Sequence, residues 1–387
     1  MSDVGLLDRA RSLRSLIEGE AEESERICTM TASVVEALSQ SGLFSLLVPA
    51  EFGGHEADVA TIVEVCEELS YADGAVGWAY AQNTTVGGYV AYIDASEARN
   101  FAGLRAGAGM FAPLGSAEVV DGGYRVSGDY KFGSGSGHAE FMGGSAMVMR
   151  DGEIADSFES GAFPVIGFLI PAENVEFKGN WDTMGLRGTG SVDFSVPEQI
   201  VPESVTWPLL KPGVSEWVTG GAIYGLGAVP LGTIGSAAWS IGVARRALDE
   251  IAAIATGGRA RLGQNPLREQ PIFQRDFGFH QTAVTAARVL IVNAYSAAVE
   301  AIAADQGDDI CGALIRETKT AANHSVRTAR DAVTFAWEAS GSAGMRNPSR
   351  LQRCFRDIYM GAGHMVFDDR NYMELAKVSL DLDPAAF

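Results

Sequence analysis

Five histidines are the side chains of this sequence best suited to acid–base chemistry, because imidazole changes its charge near neutral pH. His138 and His364 each follow a run of small residues, in SGSGHAEF and MGAGHMVF. His55, His280 and His324 have no partner at a spacing that indicates a shared site. No H-E-x-x-H pattern occurs, and the four cysteines lie far apart without a C-x-x-C pair. The sequence therefore predicts no metal site.

A second candidate for chemistry is the run Arg187-Gly188-Thr189-Gly190-Ser191, which combines small residues with hydroxyl donors. Glycines let the backbone approach a bound phosphate or ring, and neighbouring amides can donate to it. The same residues could equally form a tight turn before a strand. No strand–turn–helix context surrounds the run, so it is not a dinucleotide-binding fingerprint. Pro230 stands where Gly225-x-Gly227 would need its third glycine, and a nicotinamide domain is not expected.

The composition is that of a globular protein, with 387 residues of which 47% are hydrophobic and 20% charged. This length is enough for two or three packed domains. The formal net charge of −20 disfavours nucleic acid and anionic membrane surfaces as partners. Scattered cysteines are typical of reduced thiols, and the N-terminal MSDVGLLDRARSLRSL does not resemble a signal peptide. We therefore expect a cytoplasmic protein.

One segment is apolar enough to be considered for a membrane. Residues 218–244 carry no charged side chain, and a segment of that length can cross a bilayer. However, the segment is rich in Gly, Ser and Thr and contains Pro230, and it lacks the dense Leu, Ile and Phe content of a membrane span. We expect a helix that is buried within a bundle or a subunit interface.

The elements that must position these side chains fall into three blocks. Apolar residues recur at helical spacing over 6–17, 26–43, 59–71, 75–92 and 95–104. A glycine-rich region follows, with short β-prone runs at 124–126, 146–149, 165–170 and 192–196. Ala-rich helical stretches then cover 217–256, 273–304, 310–340 and 351–367. We predict an N-terminal helical domain (1–107), a central β-barrel or sandwich domain (108–212) and a C-terminal four-helix bundle (213–387).

This order of domains is similar to that of the acyl-CoA dehydrogenase superfamily over nearly the whole chain. Four segments carry the resemblance in the order that the family shows. They are LFSLLVPAEFGG (43–54), GDYKFGSGSGHAEF (128–141), NWDTMGLRGTGSVDFSV (180–196) and LQRCFRDIYMGAGHMVFD (351–368). Each motif alone is moderately specific. Four motifs in the family's order, separated by the same succession of helical and β-prone segments, indicate that the chain has the fold of this family.

The resemblance implies a flavin cofactor, whose ring needs an apolar or aromatic wall and hydrogen-bond donors at its polar edge. By its place in the motif, Phe132 would lie near the ring. Ser134 would donate to the flavin or to its oxygen adduct; the alternative is a strand with a solvent-facing serine. The 180–196 segment implies further cofactor contacts, for Trp181, Arg187, Thr189 and Ser191.

The choice between FAD and FMN depends on the segment NPLREQPIFQRDFGFHQ, residues 265–281. It resembles the family segment with which a neighbouring subunit binds the adenylate half of FAD. Arg268, Phe273 and Gln274 are retained, so the resemblance implies cofactor contacts for Phe273 and Gln274. The spacing of the segment is altered, which favours reduced FMN, taken up from solution, over FAD.

The last motif separates two activities within the family. An acyl-CoA dehydrogenase needs a carboxylate base to remove a proton next to the thioester, and the common family pattern supplies a glutamate after its Arg-Asp pair. Here Arg356-Asp357 is followed by IYMGAGHMVF, which has no glutamate and places His364 near that position. This ending is similar to the family's hydroxylase branch, the group D flavin monooxygenases. A dehydrogenase with its base elsewhere in the fold stays an alternative.

A histidine suits oxygenase chemistry for a physical reason. Reduced flavin and dioxygen form a hydroperoxide whose distal oxygen becomes electrophilic when a proton is donated to it, and a substrate hydroxyl is activated by a base. His364 could serve in either role. By the same resemblance, His138 would flank the substrate cavity or else cap a turn. Asn83 would face the flavin or substrate, or else cap its helix.

We therefore predict a flavin-dependent monooxygenase that uses reduced flavin and O2 to hydroxylate a small aromatic or polycyclic substrate. A separate reductase would supply the reduced flavin, and the relatives implied by the resemblance are commonly tetramers. An N-hydroxylating enzyme acting on an amine or amino sugar is a close variant. A family member without catalytic activity is the third possibility, and the retention of Ser134, residues 187–191 and His364 argues against it.

Overall fold

The computed structural model describes residues 4–260 and 263–382, which form helices, then a sheet, then helices. Within these residues the helices are α1 Val4–Ser12, α2 Arg14–Ile27, α3 Ala32–Gln40, α4 Val59–Ala72, α5 Gly74–Gly88, α6 Ala95–Ala102, α7 Ala228–Thr256, α8 Pro271–Ala303, α9 Asp308–Ser340, α10 Arg350–Gly361 and α11 Arg370–Ser379. The strands are β1 Gly107–Val120, β2 Gly123–Gly133, β3 Phe141–Arg150, β4 Glu153–Ile154, β5 Val165–Pro171, β6 Glu176–Phe177, β7 Val192–Pro202 and β8 Thr206–Pro208. The acyl-CoA dehydrogenase-like fold class is thus confirmed.

Helix α5 is the central element of the N-terminal block. It begins at Asp73, whose carboxylate accepts hydrogen bonds from the amides of Ala75 (3.0 Å) and Val76 (3.1 Å). Apart from Gln82, every residue of α5 is buried, because α4, α7 and β1 pack around it. A helix buried on nearly all sides has no polar face, so its sequence carries little helical periodicity.

The strands form one sheet in the order β6-β7-β2-β1-β3-β5-β8, with β4 paired to β3. Neighbouring strands are antiparallel except for β1 and β3, which are parallel. A turn at Gly122 (φ 75°) joins β1 to β2. The predicted strand at 124–126 is the beginning of the longer β2, and β1 was not predicted because GAGMFAPLGSAEVV shows no regular alternation.

The C-terminal block packs α8, α9 and α10 around α7. The prediction of one helix from residue 217 is wrong for its first eleven residues. Gly220 (φ 92°) and Gly227 (φ 85°) adopt conformations that interrupt a helix, and a short 3₁₀ turn lies between them. The uncharged run 218–244 is therefore an irregular segment followed by the buried first half of α7. The predicted last helix also ends early, at Gly361, and α11 follows it.

Buried apolar side chains of all three blocks form one continuous core. We keep the division into residues 1–107, 108–212 and 213–387 as a proposal. Among the described helices, α8 is long and apolar enough to cross a membrane when judged by length and composition, and 28% of its apolar stretch is buried within the chain. Its exposed apolar residues include Ile272, Phe279 and Val289.

Candidate active site

Trp78 of α5 joins the side chains on which the sequence predictions depend. Its indole Nε1 donates to Ser134 Oγ over 3.2 Å. The centre of the His364 ring lies 5.7 Å from the Trp78 ring, and Trp239 of α7 packs edge-on at 4.8 Å. Ser134 comes from the loop after β2 and His364 from the loop after α10. The fold therefore brings Ser134 and His364 to one buried tryptophan from two distant parts of the chain.

A row of hydroxyl groups continues from Ser134. Its Oγ lies 2.7 Å from Ser191 Oγ, which lies 2.6 Å from Thr189 Oγ1, and Thr189 Oγ1 is 2.8 Å from the carbonyl oxygen of Leu186. A carbonyl only accepts, so when Thr189 donates to it, Ser191 donates to Thr189 and Ser134 to Ser191. The proton of Ser134 then points away from Trp78. If Thr189 instead turns its proton towards Ser191, then Ser191 can donate to Ser134. The proton of Ser134 is then free to be donated to a ligand.

The Arg-Asp motif of α10 holds the loop that carries these hydroxyls. Asp357 Oδ1 accepts from the amide of Leu186 over 2.6 Å, and Arg356 Nη1 donates to the carbonyl of Met184 over 2.9 Å. A side chain at Gly185 would collide with the Arg356 carbonyl, so only glycine allows this approach. Leu186 itself has φ 52°. The Arg-Asp pair and the 180–196 motif are therefore one structural unit.

Arg187 is fully engaged in holding the same loop to the end of α2. Its guanidinium pairs with Asp182 and donates to the carbonyls of Thr183 (3.0 Å) and Glu25 (3.3 Å). It also contacts Cys28 Sγ at 3.3 Å. These contacts show that Arg187 holds the loop in its conformation. The predicted contact of Arg187 with a cofactor stays a prediction.

Phe132 and Trp181 form an aromatic corner at the end of β2. Phe132 has φ 62° and leaves 54% of its surface exposed. Its ring meets that of Trp181 edge-on at 6.2 Å, and Trp181 Nε1 donates to the Leu186 carbonyl over 3.1 Å. A non-glycine residue at positive φ costs on the order of 1 kcal/mol, so the fold holds this ring in place against strain. An exposed, fixed ring is suited to lie against a flat ligand.

Asn83 and His138 form a second contact between α5 and the loop after β2. Asn83 Nδ2 donates to the carbonyl of Gly107 over 2.8 Å, which directs its Oδ1 to His138 Nε2 at 2.9 Å. His138 must then donate from Nε2, and its Nδ1 is left as an acceptor. That Nδ1 is buried and has no hydrogen-bond partner among the described residues. Burial, and secondarily the charge of Arg105, lower the pKa of His138 to about 4, so the ring is neutral.

His364 follows α10 and begins a 3₁₀ turn, Met365–Phe367. The amide of Val366 donates to His364 Nδ1 over 3.3 Å, which assigns the ring proton to Nε2. Burial lowers the pKa of His364 to about 4, so the ring is neutral at pH 7. His364 therefore offers an N–H donor at Nε2. Nε2 can act as a base only in the other tautomer, in which the bond to Val366 is lost.

Two buried carboxyl groups lie near this region and are engaged with other groups. Asp73 caps α5 and lies 3.5 Å from Arg353, while Asp357 binds the Leu186 amide. Burial and the neighbouring charge of Asp73 raise the pKa of Asp357 to about 7. Within the described parts of the chain, no carboxylate forms a hydrogen bond with Trp78, Ser134 or His364.

Two predicted cofactor residues lie elsewhere. Phe273, near the start of α8, is buried against Phe335, with ring centres 5.7 Å apart. The exposed Gln274 donates to the Arg268 carbonyl over 2.8 Å. Within the described residues, neither one forms a ring contact or hydrogen bond with Trp78. Their predicted cofactor contacts would require a second subunit, and stay predictions.

Sequence reasoning missed Trp78, although it contacts two of the predicted catalytic residues. The helix that carries it is buried on nearly all sides, so no amphipathic pattern marks the position. The available signal is that Trp78 is the single tryptophan of residues 1–107. A lone indole beside glycine and alanine, in AVGWAYAQN, is a candidate for a special contact because its N–H needs a partner when buried.

These residues fit a flavin. Phe132 offers an exposed aromatic face, and the hydroxyl row ending at Ser134 offers groups that can switch between donor and acceptor. A flat ring with alternating donors and acceptors along one edge matches such a set.

Comparison with known families agrees with the site. Residues 9–100 match the family model described as "Acyl-CoA dehydrogenase, N-terminal domain", and residues 234–369 match "Acyl-CoA dehydrogenase, C-terminal domain". The chain belongs to the acyl-CoA dehydrogenase superfamily. Within it, the chain is a flavin-dependent monooxygenase of the oxygenase-component type, as predicted, and the relatives described next place it there.

Relatives that match over nearly the full length are named as monooxygenases or hydroxylases. Indole-3-acetate monooxygenase of Pseudomonas putida is 28% identical over 98% of this chain and 92% of its own. The flavin-dependent monooxygenase oxygenase subunit HsaA of Rhodococcus jostii is 26% identical, over 95% of this chain and 96% of its own. The oxygenase component of the FADH(2)-dependent resorcinol hydroxylase of Rhizobium sp. is 28% identical, over 94% and 90%.

Solved structures share the fold. The HsaA monooxygenase from M. tuberculosis has a TM-score of 0.88 at 23% identity, over 100% of both chains. XiaF from Streptomyces sp., in complex with FADH2 and glycerol, has a TM-score of 0.86 at 21% identity, over 99% of this chain and 96% of its own. TdsC from Paenibacillus sp. A11-2, with FMN and indole, has a TM-score of 0.76 at 18% identity, over 97% of both.

Proposed function

We propose that this chain uses reduced flavin, delivered by a separate reductase, to hydroxylate a small aromatic substrate. The observation that carries the proposal is that Ser134 and His364 meet at Trp78, whereas no carboxylate in the described chain bonds to any of the three. Proton abstraction from a thioester needs such a carboxylate. Oxygen insertion instead needs a hydrogen-bond donor away from bulk water, and His364 beside the buried Trp78 and Trp239 can supply one.

Bound reduced flavin would activate dioxygen, of which one atom enters the substrate and the other leaves as water. The residues proposed to hold the ring are Phe132, Trp181, Ser134 and Ser191, with Thr189 behind Ser191. His364 Nε2–H is proposed to donate to the reacting oxygen, since Nδ1 is already bound to the Val366 amide. Such a fixed donor stabilises developing negative charge without reorganisation.

His138 is proposed to act on the substrate. Its Nδ1 is a buried acceptor that lacks a partner in the described chain, and its Nε2 is fixed by Asn83. A phenolic or indolic substrate carries an O–H or N–H that such an acceptor can bind. This bond would orient the ring and increase electron density at the carbon that reacts. Asn83 is proposed to position His138 rather than to contact substrate.

The cofactor is proposed to be reduced FMN, with reduced FAD as the alternative. Solved relatives of the same fold hold FADH2 or FMN, and two of the homologues, HsaA and the resorcinol hydroxylase, are named as flavin-dependent and FADH(2)-dependent. The altered spacing of 265–281 favours FMN. The test is to titrate the wild-type chain and the Phe273→Ala variant with each reduced flavin, without air, and to compare the affinities. The cofactor would be assigned as FAD if the wild type bound both reduced flavins equally well and the Phe273→Ala substitution lowered the affinity for reduced FAD alone.

The assembly is proposed to be a homotetramer in the cytoplasm. The exposed apolar residues of α8, among them Ile272, Phe279 and Val289, support burial against other copies of the chain. A Val289→Glu substitution would then lower the mass measured by light scattering. A chain that remains monomeric in the wild type, or that partitions into vesicles, would contradict this proposal.

The direct test of the function uses isotopic oxygen. Chemically reduced FMN, the chain and a panel of phenols, indoles and aromatic amines are mixed with ¹⁸O₂, and products are analysed by mass spectrometry. We expect one ¹⁸O atom in a ring-hydroxylated product and little hydrogen peroxide. Label on nitrogen would assign the N-hydroxylating variant. Bleaching of bound FAD by acyl-CoA esters, without oxygen incorporation, would assign the dehydrogenase and contradict the proposal.

A further inference from the structure

A cavity of about 220 Å³ lies outside the candidate active site. Its walls are the segment 209–213, the start of α7, one face of α9 and two residues of α11, Asn371 and Glu374. It shares no lining residue with the Trp78 cluster. It does adjoin the loop of His364, because Asn371 Nδ2 donates to the Val366 carbonyl over 3.0 Å.

Two cations on α9 face this cavity. Arg316 and Lys319 stand one helical turn apart and both line it. Neither has a hydrogen bond or ion pair among the residues that the structure describes, whereas Lys211 on the opposite wall pairs with Glu216 over 3.0 Å. The chain carries a net charge of −20, so two unpaired cations at one cavity contrast with its overall acidity.

The charges around the cavity leave an excess of positive charge. Glu374 is the acidic residue in the lining, and it pairs with Lys377 over 2.8 Å. Burial, and next to it the charge of Arg316, lower the pKa of Lys319, because both disfavour a positive charge at the ammonium group. A bound anion would remove that penalty.

The backbone adds donors to the same wall. α7 begins at Ala228 after Gly227 without a side-chain cap, and both residues line the cavity. The first amides of a helix have no partner within the helix and favour negative charge. Pro230 has no amide hydrogen to contribute, so Ala228 and Val229 supply the free donors.

We propose that this cavity is an oxyanion-binding site, which takes a phosphate or a carboxylate through the side chains of Arg316 and Lys319. Both cations reach from the same turn of one helix, so they can hold two oxygens of one group. The size of the cavity suits a single small anion or the charged end of a larger molecule. Nothing in this proposal depends on flavin chemistry, so it can fail or succeed separately from the proposed function.

The experiment measures binding of inorganic phosphate to the full-length chain by isothermal titration calorimetry, at constant ionic strength set with chloride. The test variant is Arg316→Gln/Lys319→Gln. The matched control is Arg327→Gln/Arg330→Gln, which removes the same two charges at the same spacing from the same helix. Circular dichroism and thermal unfolding establish that both variants fold. We expect one phosphate per wild-type chain, and affinity lowered about tenfold or more in the test variant alone.

Succinate, titrated in the same way, distinguishes the two sources of the oxyanion. Binding of phosphate but not succinate assigns a phosphate site, and binding of both assigns a site for either group. No saturable binding of either anion to the wild type would overturn the proposal. Equal loss in the test and control variants would also overturn it, because the effect would then come from net charge and not from the cavity.

Discussion

The loop after β2 and the loop after α10 each present one half-buried, neutral histidine, but the two rings offer opposite chemistry. Burial lowers the pKa of both His138 and His364 to about 4. Asn83 fixes Nε2 of His138 and leaves Nδ1 as an acceptor. The Val366 amide fixes Nδ1 of His364 and leaves Nε2–H as a donor. The role of a histidine is therefore set by which nitrogen its neighbours occupy, and not by its pKa alone.

The largest effect is expected at the donor. His364→Ala should lower the rate of hydroxylation by about 10²–10³-fold, because one preorganised donor to a charged transition state is lost. His364→Gln, whose amide nitrogen can occupy the place of Nε2, should recover more activity than His364→Asn. The measurement is product formed and peroxide released per reduced flavin oxidised. Equal loss in the Gln and Asn variants would contradict a donor at Nε2.

The hydroxyl row should matter next. Ser134→Ala interrupts the row between Trp78 and Ser191, and we expect hydroxylation to fall about tenfold, the usual worth of one hydrogen bond to a charged group. Ser136→Ala is the control, since Ser136 is buried in the same loop and bonds to the Gly190 carbonyl over 3.2 Å. Product formation is measured for both variants. A similar loss in both would show that the loop, and not the row, is responsible.

A smaller effect is expected at the acceptor. His138→Gln keeps a donor towards Asn83 but removes the free acceptor, and the KM for a phenolic substrate should rise about fivefold. His138→Asn retains an acceptor near the place of Nδ1 and should raise KM less. Steady-state kinetics with phenol and with its methyl ether separate the two, since the ether has no proton to donate. If the ratio of the KM values for phenol and its methyl ether were the same in the wild type and the variants, substrate binding at His138 Nδ1 would be contradicted.

The smallest effect on activity is expected at Asp357, which supports the loop of Leu186. Its pKa is raised from 3.8 to about 7, so the folded state favours the protonated acid. Its contribution to the free energy of unfolding is present below about pH 4 and is lost as pH rises towards 7. Asp357→Asn should weaken the dependence of the free energy of unfolding on pH, by on the order of a few kcal/mol between pH 4 and pH 7. Urea unfolding at several pH values measures the free energy of unfolding of the wild type and the variant. Parallel plots of this free energy against pH would contradict the raised pKa of Asp357.

The fold could be predicted from sequence where local patterns are strong. Helical spacing marked α4 and α9, and short β-prone runs marked β5 and β7, because these elements present one apolar face or a continuous buried run. The start of α7 was mispredicted because an uncharged run does not reveal where glycine conformations interrupt a helix.

The site could be predicted only in part. Motif resemblance pointed to Ser134 and His364, but their contacts with Trp78 bring together residues more than two hundred positions apart. Spacing within one segment says nothing about such contacts. Likewise, the tautomer of His138 depends on Asn83, and that of His364 on the amide of Val366. Neither hydrogen bond can be predicted from the residue types alone.

The central claim is that His364 is a neutral N–H donor beside Ser134 and Trp78, and nitrogen NMR of ¹⁵N-histidine-labelled protein tests it most directly. The chain has five histidines, and the His364→Gln spectrum identifies the signal. We predict that His364 shows an unprotonated Nδ1 and a protonated Nε2 throughout pH 5.5–8, consistent with a pKa of about 4. An imidazolium at pH 6, or a proton on Nδ1, would contradict the account.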